Sequence, residues 1–586
     1  MKALSSKIGP LLCSLCVLCA LCVLCDKALA LDREAFTFTK YDLDVRIEPD
    51  QQRLGVRGKL TVRNDSTTPQ ADLALQVSSS LDWRSIRIAG KPAQFVTHEY
   101  TSDVDHTGAL SEAVVSLPHD IPPKSTLEIE IGYEGTIPLD VTRLTRIGVP
   151  EDKAKHTDWD EIGKSFSAVR GIGYVVWYPV ATEAASLSDG NSVAETIGRW
   201  KAREAQAELK AKLTNSGEGV PTLLLCNGEG SQQAQERMSK HFANTTECRY
   251  PTLGMTVPLF AIGSYSGLDK PPVNISYLAD HKSGAENYAL AANLAAPLVK
   301  EWFGGSQPAT DIRRAEVIEL ADPDAAPFES GTMLLTPLVD SDSRLYLLRA
   351  VHQLTHAAFP SPRPWIYEGL AHFAQSLERE QQNGRHAAID FMGQHRAAIV
   401  DTEKAIAAEH SQTTAAGESL INTGIEEFYR SKAMYVWWML RDMVGDDALK
   451  KALAAYRADD DKETAYIQHL IEAQSKRDLE WFFDEWVYRD HGLPDFHVES
   501  AYPRSTVDGH SVVTITIENL GDAGAEVPVS LRFDGGEATK RLEVRAKSKA
   551  VLRLEATGTP QEIRINDGSV PESDLANDSY KIEVKP

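Results

Sequence analysis

Along residues 36–64, "FTFTKYDLDVRIEPDQQRLGVRGKLTVRN", apolar and polar side chains alternate on both sides of a turn-rich break at Glu48 to Gln52. Alternation with period two sends successive side chains to opposite faces of a strand, so the stretch predicts a half-buried hairpin. The same alternation returns in "LDWRSIRIAG", "STLEIEIGYEG", "QAELKAKLT" and "VPLFAIGSYSG". Together these segments predict a large antiparallel β domain over residues 31–277, in which Arg143 to Gly171 is too irregular to place. The period then changes. "GAENYALAANLAAPLVKEWFGG" carries apolar residues at three-and-four spacing and stops at paired glycines, as a helix ending at a glycine does. After a strand-like stretch at "AEVIELADP", helical spacing dominates to about Trp486. Alternation resumes with glycine turns in "VVTITIENLGDAGAEVPVSLRFDGGEATKRLEVRAKSKAVLRLE", which predicts a small β-sandwich over residues 496–586. The expected fold class is multidomain α+β, with a mostly helical domain over 278–495 between two β domains.

A chain of 586 residues exceeds what one hydrophobic core organises, which agrees with several domains. Acidic residues outnumber basic ones by 84 to 61, giving a formal net charge of −23 and no basic stripe to neutralise phosphates, so nucleic acid is not an expected partner. The N-terminus carries Lys2 and Lys7, an uncharged apolar run from about Leu11 to Cys25, and then Ala28-Leu29-Ala30. This is the order of a secretory signal peptide over residues 1–30, which predicts an exported, periplasmic or secreted protein with no membrane span once the signal is removed. The cysteines at 13, 16, 19, 22 and 25 read as small hydrophobes of that segment; each follows a leucine, which disfavours a lipoprotein site, and the run is short for an uncleaved anchor. Cys226 and Cys248 then remain for an oxidising compartment, and a disulfide between them is expected.

Candidate chemistry gathers in "RLYLLRAVHQLTHAAFPSPRPWIYEGLAHFAQ". Leu345, Leu348, His352, His356 and Phe359 fall on one helical stripe, so both imidazoles project the same way, one turn apart. Pro360, Pro362 and Pro364 end that helix and force an extended connector. A second helix follows with a stripe of Ile366, Leu370, Phe373 and Leu377, and Glu368 in its first turn faces the histidines if the helices pack about 8–10 Å apart. Two histidines and a glutamate with water in the fourth position form a catalytic zinc geometry; the competing reading is a hydrogen-bonded core cluster without metal. His372, one turn after Glu368, is open to four readings: a partner of a ligand, a substitute base, a fourth ligand that closes the site, or a surface or core histidine. The acidic runs "ELADPDAAP" and "RADDDKE" lack the regular oxygen spacing of a calcium loop and read as solvated turns and helix ends.

At these residues the sequence resembles the aminopeptidase N family of zinc metallopeptidases, whose pattern is His-Glu-x-x-His followed by Trp-x-x-Glu-Gly-Phe-Ala. "SKAMYVWWMLRDMVGDDALKKALAAY" and "SKRDLEWFFDEWVYRDHGLPDFHV" are similar to its later helices, and the opening strands to its first domain. The resemblance implies a saddle-shaped N-terminal β domain, a thermolysin-like helical domain and an optional C-terminal β-sandwich. It further implies zinc on His352, His356 and Glu368, with peptides or proteins as substrate or ligand. Four departures qualify it. Gln353 stands where the family has its general base, and a neutral amide orients a water but cannot take its proton. Leu334 and Leu335 of "GTMLLTP" stand where a glutamate and an asparagine anchor a substrate amine. The connector is shorter than in the family, although Ala358 to Pro364 still reaches about 20 Å when extended. Arg430 aligns with the tyrosine that binds the oxyanion, leaving its neighbour Tyr429 as the candidate. Two functions follow: a peptidase of modified mechanism using Gln353, Tyr429 and His372, or an inactive pseudo-peptidase that keeps the fold for binding.

Overall fold

The computed structural model describes residues 31–582 except 191, 218–221, 230–233, 239–240, 279, 305–313, 340–342, 411–418 and 506–509. The expected signal segment, residues 1–30, lies outside the described residues. The chain is multidomain α+β. Its first part is built on the hairpin Phe36–Glu48 and Arg53–Asn64, whose buried positions alternate as the sequence pattern requires. Thr126–Thr136 extends this sheet antiparallel to the second strand, but Glu208–Asn215 runs parallel to the first, so the sheet is not purely antiparallel. A parallel neighbour demands a long crossover, and the intervening chain supplies one that includes the three-stranded sheet of Gln70–Ser78, Ala109–Ile121 and Gln94–Thr101.

The stretch from Arg143 to Gly171 folds into two short helices and two short strands: α1 (Thr142–Arg146), α2 (Glu151–Thr157), Glu161–Ile162 and Phe166–Val169. None is long enough to show a period, and the apolar pattern is broken by buried charge. Arg143 meets Asp158 at 2.6 Å, and Arg170, its side chain 1% exposed, is paired with the fully buried Asp160. Helix α3 (Ser192–Glu204) follows. Cys226 and Cys248 form the expected disulfide, with their Cα atoms 6.3 Å apart.

A five-stranded mixed sheet comes next, in the order Tyr265–Lys270, Val273–Leu278, Ala315–Glu319, Met333–Thr336, Phe328–Ser330. It continues across residue 277, where the sequence period changes: periodicity marks a strand but not the sheet it joins. Helix α4 (Lys282–Phe303) packs beside it, ending at Gly304 as anticipated. Then come α5 (Ser343–Ala358), α6 (Pro364–Asn383), α7 (Arg385–His410), a π-helical turn over Glu427–Lys432, and α8 (Ala433–Val444). Leu345, on the stripe that carries the histidines of α5, is 64% exposed; the buried apolar side chains near it are Tyr346, Leu347, Ala350 and Val351. The stripe of α6 is buried throughout.

Two sheets form the C-terminal part: Phe496–Ser505, Ser511–Asn519 and Lys549–Ala556 in one, Gly536–Val544, Ala525–Phe533, Pro560–Ile565 and Ser579–Lys581 in the other. Their inward residues share one apolar cluster with α4 to α8, whereas the N-terminal sheets have their own. Among the described residues no helix is long and apolar enough to cross a membrane.

Candidate metal centre

The site forms where α5 and α6 pack against each other beside the edge strand Phe328–Ser330 and the π turn. Pro364 opens α6 at a position where its missing N–H costs nothing, and Arg363 before it is extended, as a residue preceding proline must be. The connector is pinned at both ends. Ser361 Oγ lies 2.9 Å from Tyr456 Oη, and Arg363 Nε donates to Asp461 Oδ1 at 2.7 Å. Asp461 belongs to the acidic run expected to be solvated; it is buried because Arg363 and the Tyr456 hydroxyl satisfy it. Gly369, next to Glu368, lets α6 approach α8: a Cβ there would stand 2.7 Å from the Ala433 Cβ.

Three of the expected residues converge. Glu368 Oε2 lies 3.7 Å from His352 Nε2, and Glu368 Oε1 lies 3.9 Å from His356 Nε2. The two imidazole rings are 4.5 Å apart between centroids, and His372 stands edge-on to His352 at 5.1 Å. His356 Nε2 and both ring nitrogens of His372 are buried with no hydrogen-bond partner among the described residues. Such orphaned donors or acceptors cost free energy in a protein interior unless something pairs with them.

Sequence reasoning missed a fourth participant. Glu329, on the edge strand, places Oε1 3.2 Å from His356 Nδ1 and Oε2 3.9 Å from His352 Nε2. No motif signals it, since it lies twenty-three residues before His352 on a three-residue strand. Tyr367 was missed as well. Its ring stacks on His356 at 3.8 Å, and its hydroxyl donates to the Gly331 carbonyl at 3.1 Å. The side-chain donors fall into two overlapping sets, Glu329 with His352 and His356, and His352 with Glu368 and His372; within each set the ligand atoms lie close enough to hold one ion. A third set, His156 with Asp322 and Asp324, sits at the partly exposed "ELADPDAAP" segment, where His156 Nδ1 meets Asp322 Oδ2 at 2.6 Å.

Gln353 is used differently from what its position implies. It is fully buried. Its Oε1 accepts from the Tyr288 hydroxyl of α4 at 2.7 Å, and its Nε2 donates to the backbone carbonyls of Glu316 at 2.7 Å and Thr332 at 3.2 Å. Both amide hydrogens are therefore spent on the mixed sheet. Leu334 and Leu335 are buried in that sheet's strand. Arg430 donates through Nε to Glu368 Oε2 at 3.1 Å and pairs with Glu426 one turn earlier. Tyr429, 6% exposed, lies in the π turn beside it.

Electrostatics follow from burial. Both His352 and His356 are pushed down to about 4, chiefly because burial disfavours the imidazolium, so they are neutral near pH 7. His372 is held well below the usual range by burial and then by its neighbour His352. Glu329 is pushed up to about 7 by burial, with His352 acting in the opposite direction. For Glu368 burial acts upward, but the Arg430 guanidinium and the flanking histidines together hold it well below the usual carboxylate range. Lys201, reaching in from α3, is lowered by burial, while Glu368 raises it. Burial raises Tyr429 too, with Glu368 and Glu427 adding to the effect, so the phenol stays protonated and can donate.

No family model and no curated protein matches the chain. Among solved structures it is similar to an M1 zinc metallopeptidase from Deinococcus radiodurans. For a mutant bound to a Tyr-Ser-Ala substrate, identity is 16%, the match covers 79% of this chain and 96% of the other, and the TM-score is 0.44. A second crystal structure of the metallopeptidase gives 16% identity over 75% and 91%, with a TM-score of 0.42. The mutant in another crystal structure gives 15% over 79% and 96%, with a TM-score of 0.43. At this identity and degree of superposition no residue's role passes from those enzymes to this chain.

Proposed function

We propose that the protein is an exported zinc metallopeptidase of the aminopeptidase N kind, altered in mechanism, with His352, His356 and Glu368 holding the ion. The observation that carries this reading is the buried, partnerless His356 Nε2 directed toward Glu368 while its Nδ1 faces the Glu329 carboxylate. A carboxylate on one ring nitrogen fixes the tautomer and leaves the other free, which is how a metal-binding histidine is oriented. Neutral imidazoles and carboxylates suit zinc, and the ion would supply Lewis acidity toward a peptide carbonyl. Arg430 orients Glu368, and the Tyr429 phenol is the donor suited to a developing oxyanion. Export is supported by the signal-like N-terminus and by the Cys226–Cys248 bridge, which persists in an oxidising compartment. Leu334 and Leu335 remove the amine anchor, so the reading extends to peptides without a free N-terminus as substrates.

The test is elemental analysis of purified protein together with hydrolysis of a peptide library. Stoichiometric zinc, lost in Glu368→Ala along with chelator-sensitive hydrolysis, is the expected result; a metal-free protein after zinc dialysis refutes it. A second reading, a pseudo-peptidase that binds peptides or a partner without cleaving them, is favoured by one observation: Gln353 cannot act as a base and spends both amide hydrogens on the sheet. Zinc without turnover is its signature.

A further inference from the structure

The base missing from α5 has a geometric substitute. We infer that Glu329, from the edge strand Phe328–Ser330, is the carboxylate that takes the proton from the attacking water. The inference rests on the zinc-peptidase reading above and decides between its active and inactive forms.

The backbone fixes the direction of this side chain. Side chains alternate along a strand, so Phe328 and Ser330 point away from Glu329. The Phe328 ring packs edge-on against Tyr174 at 5.3 Å, and Ser330 Oγ bonds both the N–H and the carbonyl of Val257 at 2.7 and 2.9 Å. With its neighbours anchored, Glu329 is directed between His352 and His356. The adjoining turn is fastened twice more, by the Tyr367 hydroxyl on the Gly331 carbonyl and by Gln353 Nε2 on the Thr332 carbonyl. Gly331 itself adopts a φ of +64°, a conformation that disfavours a side chain there. Gln353, which occupies the base's place in the motif, thus secures the hairpin that carries Glu329.

The two oxygens of Glu329 divide the work. Oε1 faces His356 Nδ1, and Oε2 remains on the side of His352 Nε2 at 3.9 Å. The other charged or titratable groups around it include Glu368, Arg430 and Tyr288. Glu368, held by Arg430, is the carboxylate ligand of the proposed centre; Glu329 lies close enough to both histidines to be a ligand too, and we assign it to the water. In the step, the water oxygen forms a bond to the scissile carbonyl carbon while one water proton passes to Glu329 Oε2. That proton then moves to the amide nitrogen as the carbon–nitrogen bond breaks, giving a carboxylic acid and an amine with no oxidant or reductant required.

Glu329→Gln and Glu329→Ala in the full chain test the assignment, with zinc affinity measured by competition against a chromophoric chelator and hydrolysis measured on internally quenched peptides. Glutamine keeps an acceptor for His356 Nδ1, so zinc affinity within about tenfold of wild type is expected, alongside a fall in kcat of about 10²–10⁴-fold. Added formate is expected to restore part of the rate of Glu329→Ala, which a purely structural role would not allow. Wild-type kcat in a zinc-loaded Glu329→Gln overturns the inference and leaves the zinc peptidase standing. Loss of zinc stoichiometry in that variant also overturns it, by making Glu329 a ligand. Wild-type protein that holds zinc without cleaving any peptide overturns it in favour of the pseudo-peptidase, and wild-type protein that holds no zinc refutes the underlying reading itself.

Discussion

Gln353→Glu separates what the motif implies from what the fold does. By the motif alone, the substitution restores a general base and raises hydrolysis. In the structure, the side chain at 353 donates two hydrogen bonds to the part-buried carbonyls of Glu316 and Thr332 and accepts one from Tyr288. A carboxylate keeps the Tyr288 bond but loses both donors and sets its own lone pairs against two carbonyls. The Thr332 carbonyl still accepts the Glu316 N–H at 2.8 Å, so one carbonyl loses its side-chain donor outright, and the substitution is expected to destabilise the protein by about 1–3 kcal/mol. That is a large share of the ~5–15 kcal/mol that holds a typical domain. The new carboxyl can recover part of the loss by keeping a proton, which then donates to one carbonyl. Its deficit therefore grows with pH by about 1.4 kcal/mol per unit from the ordinary carboxyl value up to its raised folded value, and levels off above that. Urea unfolding followed by tryptophan fluorescence at pH 6 and pH 8, on zinc-free protein, measures both effects, with Tyr288→Phe as a reference for losing one neutral bond at about 1 kcal/mol. A Gln353→Glu protein with the wild-type midpoint and a tenfold or greater gain in hydrolysis would show that position 353 faces the reaction and not the sheet.

Other perturbations probe the frame around the site. Gly369→Ala forces a Cβ to within 2.7 Å of the Ala433 Cβ and 3.1 Å of Trp437, so α6 must shift away from α8; weaker zinc binding and a lower urea midpoint, by about 1–3 kcal/mol, are expected. Glu204 on α3, buried and with Oε2 unpaired, is raised to about 7 by burial against an ordinary value of 4.5. Its folded form holds the proton more tightly than the unfolded chain, so its contribution is greatest below pH 4.5 and is lost as pH rises through 7, by about 3 kcal/mol in all. Glu204→Gln should flatten that slope in urea midpoints taken from pH 5 to pH 8. Replacing Cys226 and Cys248 by serine opens a link between residues 22 apart and is expected to cost about 3 kcal/mol, read from the same midpoints.

The elements with a strong period were legible in the sequence, and so was the nearness of Glu368 to His352 and His356, because helical spacing and a proline break fix where those side chains can point. What stayed hidden depends on contacts between residues far apart in the chain. Glu329 sits on a strand of three residues, too short for any pattern, and reaches the histidines only because that strand pairs with Met333–Thr336. Asp461 looked solvated because its partners, Arg363 and Tyr456, are set by packing and not by spacing. Gln353 was legible as a residue and misleading as a role: the motif gives its position on the helix, whereas its hydrogen bonds are given by α4 and the mixed sheet.

The charge balance of the cluster bears on what it holds. With His352, His356 and His372 neutral, the other titratable groups at the centre are the Glu329 and Glu368 carboxyls, the Arg430 guanidinium and the Lys201 amine, which interacts with Glu368. Arg430 is engaged with Glu368 and Glu426, and neither of those bonds reaches Glu329. Among the described residues Glu329 has no cation bonded to it, its hydrogen-bond partner being the His356 ring, and a carboxylate so placed must either take a proton or meet a positive ion. A divalent ion between His352, His356 and Glu368 would supply that charge from the side on which Oε2 lies, lowering the proton affinity of Glu329 and freeing it to act on water. The same ion would pair the orphaned His356 Nε2. One added dication thus answers two deficits that the protein's own side chains leave open, and an uncharged occupant could answer only the second.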